Sequence, residues 1–235
     1  MSAAATRNLV LSGGVGHDFA ATSHALAELL APLGFATEVV EDVDAGLTRL
    51  AAERPPLLTV NLLRWRMEAD RYAMQRERWA FSLSRAGRDA LTGHLARGGG
   101  LLALHTAPIC FDDWPGWRAL VGGAWSWTRS LHPPLGPARV DVAEPTHPLV
   151  TGLAAFEVVD EVYSFLDLEP DVVPLLTSTV EGVAQPLLWA RAAGGGRVVY
   201  DALGHDASSF ALSEHRTILR RAALWAAGRE PGEAA

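Results

Sequence analysis

Three histidines share one context: each lies just beyond a short apolar run. His105 closes Gly98-Gly99-Gly100-Leu101-Leu102-Ala103-Leu104-His105, His17 follows Arg7–Ser12 and the pair Gly13-Gly14, and His205 follows Arg197–Asp201 in Asp201-Ala202-Leu203-Gly204-His205-Asp206. An imidazole titrates near neutral pH and, when neutral, offers a lone pair, so it can move protons or ligate a metal. His132 lies in the tryptophan-rich stretch from Gly122 to Pro134, where a turn role before the prolines is an equal reading. Asp160-Glu161-Val162-Tyr163 is a second dense cluster. Adjacent carboxylates on a strand point to opposite faces, so one of Asp160 and Glu161 faces a given site, and Tyr163 shares a face with Glu161. A carboxylate beside histidines is a general acid or base, or a metal ligand. His147, in Thr146-His147-Pro148, reads as a turn residue, and His24, His94 and His215 fall in helical stretches where surface positions are the default.

These residues need elements that bring them together. Leu101–Leu104 after a glycine cluster reads as a fully buried strand of a parallel sheet. Ligands of open α/β sheets bind beyond the carboxyl ends of the strands, which is where His105 falls. Arg7–Ser12, Phe35–Val40 and Leu57–Leu63 are further strands. Between them come a helix capped by Thr22 or Ser23, with Leu26, Leu29, Leu30 and Leu33 inward and Gly34 at its end, and a short helix from Asp44 to Ala52. Ser84 caps a helix with Ala90, Leu91 and Leu95 against the sheet. This β-α-β-α-β-α-β order indicates a doubly wound, mostly parallel sheet with right-handed crossovers. The Arg-, Glu- and Trp-rich stretch 64–82 is expected to be an exposed helical excursion, a lid or an oligomer contact. In the second half Ala138–Val142, Phe156–Val159, Val172–Ser178, Pro186–Ala190 and Arg197–Asp201 are strand-like with few helices between, so antiparallel additions at the sheet edge are expected. Ser213 caps a last helix with Ile218, Ala222 and Trp225 inward, Gly228 ends it, and 229–235 are expected to be a loose tail. Residues 1–235 are read as one domain with its ordered core at 7–228.

Composition excludes several classes. The 235 residues carry a net charge of −7 with 20% charged residues, and phosphate binding needs a concentrated basic face, so no nucleic-acid partner is expected. No apolar run approaches the roughly 18 residues of a membrane span. The first seven residues lack a signal-peptide core, and the single cysteine, Cys110, permits no internal disulfide. A cytoplasmic protein with no membrane partner is expected. A G-x-S-x-G elbow, a Walker A loop, a G-x-G-x-x-G fingerprint and the H-E-x-x-H zinc spacing are all missing. Any metal site must therefore be assembled from distant loops. Cys110 reads as a small buried apolar residue rather than a nucleophile.

The chain resembles the trehalose-utilisation (ThuA-like) family over about residues 8–228. The resemblance rests on ordered blocks: Gly13-Gly14 with His17-Asp18; the Gly98–His105 run; Gly122-Gly123 with His132; His147-Pro148; Asp160-Glu161-Val162-Tyr163; Gly196–Tyr200 leading to Gly204-His205-Asp206; and Leu224–Gly228. It implies a three-layer α/β/α fold of the class I glutamine amidotransferase-like (flavodoxin-like) type, and a link to trehalose or related disaccharides through 3-keto sugars. His105 stands where an amidotransferase carries its cysteine, so that chemistry does not carry over.

The expectation is an enzyme acting on a sugar or keto-sugar, an isomerase, lyase or hydrolase. His105, His17, Glu161 and His205 are its candidate catalytic residues, and His132, Tyr163, Asp160 and Trp127 its candidate substrate contacts. Trp114 and Trp125 offer further flat faces for a sugar ring. No cofactor is certain. A variant has a divalent metal, zinc first, held among His17, His105, His132, Glu161 and His205. The rival reading is a non-catalytic sugar-binding or assembly subunit, and a glutamine-dependent enzyme using Cys110 is the least favoured. Association of identical copies fits such folds, with 64–82 as the place of contact.

Overall fold

The computed structural model describes residues 5–232. In chain order the elements are β1 Thr6–Gly14, α1 Phe19–Leu30, β2 Phe35–Val40, α2 Val43–Glu53, β3 Leu57–Leu63, α3 Ala73–Trp79, α4 Arg85–Ala96, β4 Gly100–Leu104, α5 Pro115–Val121, β5 Gly123–Ala124, β6 Gly136–Val142, β7 Phe156–Asp160, β8 Asp167–Leu168, β9 Pro174–Val180, β10 Val183–Ala193, β11 Gly196–Asp201 and α6 Ser213–Ala226. Nine strands form one sheet in the order β2-β1-β3-β4-β11-β10-β9-β6-β7. The first five run parallel, and the rest add antiparallel.

The parallel half follows from its apolar runs. Every residue of β3 and β4 is buried, as strands covered on both faces must be. Helix α2 packs with α4 and α1 with α6, one pair on each side of the sheet as right-handed crossovers require. The antiparallel half alternates instead: β7 reads buried-exposed-buried-exposed-buried, which fits a strand with one covered face.

Several local expectations are corrected. The cap of α1 is Asp18, whose side chain accepts from the amide of Ala21 at 2.9 Å, whereas Thr22 and Ser23 are buried and hydrogen-bonded to Asn61. Asp42, not Asp44, caps α2. Ser213 is the first residue of α6 and its hydroxyl turns to Glu214 instead of capping. Trp225 packs against the core as expected, half-buried under the guanidinium of Arg197. The excursion 64–82 is helical only at 70–79 and is anchored, because Trp65 and Met67 are buried. Residues 229–232 are not loose: Arg229 donates to the carbonyl of Leu33 at 2.9 Å and Pro231 is buried. Met1–Ala4 and 233–235 lie outside the described residues.

Two helix histidines belong to the interior rather than the surface. The Nε2–H of His94 donates to the carbonyl of Gly100 at 2.8 Å. His215 has its Nδ1 at 3.0 Å from the carbonyl of Ser209 and its Nε2 at 3.2 Å from the carboxylate of Asp201, and both side chains of that ion pair are fully buried. Burial pushes the His215 imidazole down, but the Asp201 charge outweighs it and raises the group above its ordinary value. Replacing His215 with Ala leaves Asp201 buried without its counter-charge, a loss of about 3–5 kcal/mol. A group with a raised folded-state pKa stabilises most below its unfolded value and less as pH rises through the folded one. Denaturant titrations should therefore show a wider gap between wild type and H215A at pH 6 than at pH 9. An equal gap at both contradicts this.

Candidate functional site

The carboxyl ends of β1, β4 and β11 deliver the three expected histidines to one rim. At β1 the chain leaves through Gly14, where an added Cβ would lie 2.4 Å from the carbonyl oxygen of Leu63. Only glycine permits that passage, at a φ of +144°, and it sets the loop that carries His17. His105 comes directly after β4 with a φ of +39°, a left-handed turn that lifts its imidazole off the strand. Two bonds hold the turn: its amide donates to Asp201 at 2.7 Å and the Tyr200 hydroxyl donates to its carbonyl at 2.8 Å. His205 follows β11 through Gly204.

Glu161, one residue past β7, closes the group from the antiparallel half. Its Oε2 lies 3.1 Å from His205 Nδ1, 3.7 Å from His105 Nε2 and 3.9 Å from His17 Nε2. On the other oxygen, His132 Nδ1 stands 3.5 Å from Oε1. Burial pushes the Glu161 carboxyl up, but the imidazoles of His105, His17, His132 and His205 outweigh it and hold it well below the usual carboxylate range.

The lone pairs are aimed inward. The Nδ1 of His105 is 2.6 Å from the carbonyl of Ala202, which only accepts, so Nδ1 carries the proton and Nε2 faces Glu161 unprotonated in the neutral ring. His17 repeats this more weakly, with Nδ1 3.4 Å from the carbonyl of Val15. The three nitrogens nearest Oε2 are buried and have no hydrogen-bond partner. One ligand atom from each of His17, His105, His205 and Glu161 lies within 4.8 Å of the others.

Above this group opens a cleft of about 670 Å³, reaching it at His17, His132 and Tyr163. That size suits a small-molecule ligand. Tyr163 is buried, its ring 4.6 Å from that of His105 and stacked on His132 at 5.3 Å. Trp125 and Trp127 line the cleft, Trp127 with 45% of its surface exposed.

Of the expected site residues, His17, His105, His205, His132, Glu161, Tyr163 and Trp127 come together. Asp160 does not reach the cleft. It is buried, and its carboxylate accepts from the amides of Gly204 at 2.8 Å, His205 at 3.2 Å and Glu161 at 2.8 Å. The alternation along β7 separates it from its neighbour, and it ties the His205 loop to the Glu161 turn. Trp114 packs against the core instead of the cleft. His147 holds its turn, its Nδ1 accepting from the amide of Leu149. Cys110 is buried, its thiol pushed up to about 12 by burial and 3.0 Å from the carbonyl of Leu62. The sequence reading missed the outer cleft wall of Trp65, Arg71 and Tyr72. The signal for it lay in the dense aromatic and arginine content of 64–79.

The strand order 2-1-3-4 followed by a fifth parallel strand, with polar side chains gathered beyond the carboxyl ends, defines a flavodoxin-like α/β protein with its site at the usual rim. The sequence profile of the ThuA family, described as trehalose utilisation, matches residues 7–226, and the chain belongs to that family. Solved structures agree on the fold. A ThuA-like protein from Parabacteroides merdae superposes with a TM-score of 0.76 at 17% identity, over 96% of this chain and 91% of that one. One from Bacteroides uniformis gives 0.68 at 18% identity, over 98% and 97%. A β-galactosidase from Bacillus circulans gives 0.61 at 12% identity, over 97% of this chain but 32% of the enzyme. No curated protein sequence matches. Among the described residues no helix is long and apolar enough to cross a membrane.

Asp160 generates a prediction of its own. Asp160→Ala removes the acceptor of three amides, of which that of Gly204 is buried and those of His205 and Glu161 partly so, at a cost of about 1–3 kcal/mol for a buried one left unsatisfied. Urea denaturation should show D160A several kcal/mol less stable than wild type and D160N between the two. Wild-type stability in D160A contradicts the assignment.

Proposed function

We propose that the protein is an enzyme of sugar metabolism that acts on a trehalose-type disaccharide or its 3-keto derivative, with a divalent cation, zinc first, held by His17, His105, His205 and Glu161. One observation carries the reading: three buried, unpartnered imidazole nitrogens from three strand ends converge on one carboxylate oxygen. Buried polar atoms without partners are rare, because each costs free energy to desolvate. Backbone carbonyls on the far nitrogens of His105 and His17 are the orientation that metal-binding histidines use. The nitrogen and oxygen donor set suits zinc. When bound, such an ion polarises a sugar carbonyl or hydroxyl.

The chain's own residues supply the rest. His132 is outside the four-residue group, faces the cleft and borders Glu161, so it is placed to take or give a proton at a substrate carbon or oxygen. A keto group acidifies the neighbouring C–H, which brings that proton within reach of an imidazole near neutrality. Trp125 offers an apolar face to a ring, and buried Tyr163 backs His105 and His132. Because Cys110 is buried and its thiol is raised, thiolate chemistry contributes nothing. The single buried cysteine also fits a reducing, cytoplasmic setting.

Protein purified without chelator should retain about one equivalent of divalent metal by mass spectrometry, and His105→Ala should lose most of it. Incubation with 3-ketotrehalose should form product in the wild type and none with H105A or E161Q, while H132A keeps its metal and loses turnover by about 10²–10⁴-fold. Absence of metal at any stoichiometry removes the cation from this reading. Metal and sugar bound with no product would make the protein a non-catalytic sugar-binding subunit.

A further inference from the structure

The site does not end at the histidine cluster. A second cavity of about 330 Å³ lies outward of the cleft, and Trp65, Arg71, Tyr72 and Trp127 line both. The two therefore adjoin at these four side chains, with His17 and His132 on the inner side and residues 65–72 along the outer one. We propose that Trp65, Tyr72, Arg71 and Trp127 form a second ring-binding subsite, so that the protein takes a two-ring glycoside with its reacting ring at the histidine cluster and its second ring on this aromatic wall. The proposal rests on the sugar reading above and names where the selectivity for two rings resides.

Four features of the groove fit a sugar ring. Buried Trp65 backs the wall, its indole 6.0 Å from that of Trp127 at 32° and met edge-on by Tyr72 at 5.0 Å, so Trp127 and Tyr72 are the rings the passage exposes. The faces of such rings bind the C–H side of a pyranose, which is the amphipathic use of aromatic rings. Trp127 is left largely open to solvent at the junction, where an unoccupied large apolar surface is otherwise unfavourable. At the far end Arg66 pairs with Asp112 at 3.3 Å and Glu68 at 3.0 Å. That arrangement offers donors and acceptors together, matching hydroxyls that both give and receive hydrogen bonds. Arg71 stacks on Tyr72 at 4.8 Å and lines both cavities.

The wall is prebuilt. Arg76 donates to the carbonyls of Met67 and Glu68, both at 2.8 Å, and Phe81 donates to that of Trp65 at 2.8 Å, closing the segment on itself. A subsite already in shape loses less entropy when a ring docks.

The test is a titration of the full chain, read by early tryptophan fluorescence in stopped flow, with trehalose and 3-ketotrehalose as two-ring probes and glucose and 3-ketoglucose as one-ring probes. Wild type should bind the better two-ring probe at least tenfold more tightly than its one-ring counterpart. Trp127→Ala should weaken the two-ring probe about tenfold more than the one-ring probe, and Arg71→Ala should act in the same direction less strongly. Trp127 and Arg71 are both exposed, so both variants should keep the wild-type circular dichroism. Equal affinity for one and two rings, or equal weakening of both by W127A, overturns the subsite and leaves the sugar reading standing. Failure of all four sugars to bind overturns the sugar reading and the subsite with it.

Discussion

A buried carboxylate oxygen facing three imidazole nitrogens is the interaction on which the site depends. None of the three makes a hydrogen bond to that oxygen, although all lie between 3.1 and 3.9 Å from it. Left alone, such a group would rotate towards water or towards each other, since unsatisfied buried nitrogens are costly. The protein instead spends strain and hydrogen bonds to hold it. The positive φ of His105, its bond to Ala202 and the threefold grip of Asp160 all point the donors inward. The cation proposed above would answer these inward lone pairs in one step.

The fold supplies that convergence cheaply. Parallel strands end on the same side, so residues far apart in sequence meet without long loops. The strand between β1 and β4, β3, supplies none of the four clustered side chains. It separates the two ends and receives the Gly14 passage against Leu63. The antiparallel half completes the group by returning Glu161, and with it Tyr163, over the rim.

Much of this was legible from residue order. The strands at Phe35–Val40 and Leu57–Leu63 coincide with the observed elements, because a bounded apolar run has few other places to go. The convergence of His17, His105 and His205 followed from their shared position after such runs. What was not legible depended on small competing interactions. Asp18 outcompetes Thr22 and Ser23 as a cap because those two hydroxyls satisfy Asn61 in the interior. The two-residue strands β5 and β8 are too short for periodicity to register. His94 and His215 continue the inward stripes of Ala90-Leu91-Leu95 and Ile218-Leu219-Ala222, so helical spacing could have revealed their burial, but a default surface reading hid it. The cleft wall at Trp65, Arg71 and Tyr72 left a compositional trace in the aromatic- and arginine-rich stretch 64–79, but which side of the rim that stretch covers was set by tertiary contacts.

The most direct measurement is anomalous diffraction at the zinc edge from crystals of protein purified without chelator. The account predicts one peak at about 2.0–2.2 Å from His17 Nε2, His105 Nε2, His205 Nδ1 and a Glu161 oxygen. A map without that peak, in which these imidazoles instead hydrogen-bond to Glu161 or to water, would contradict it.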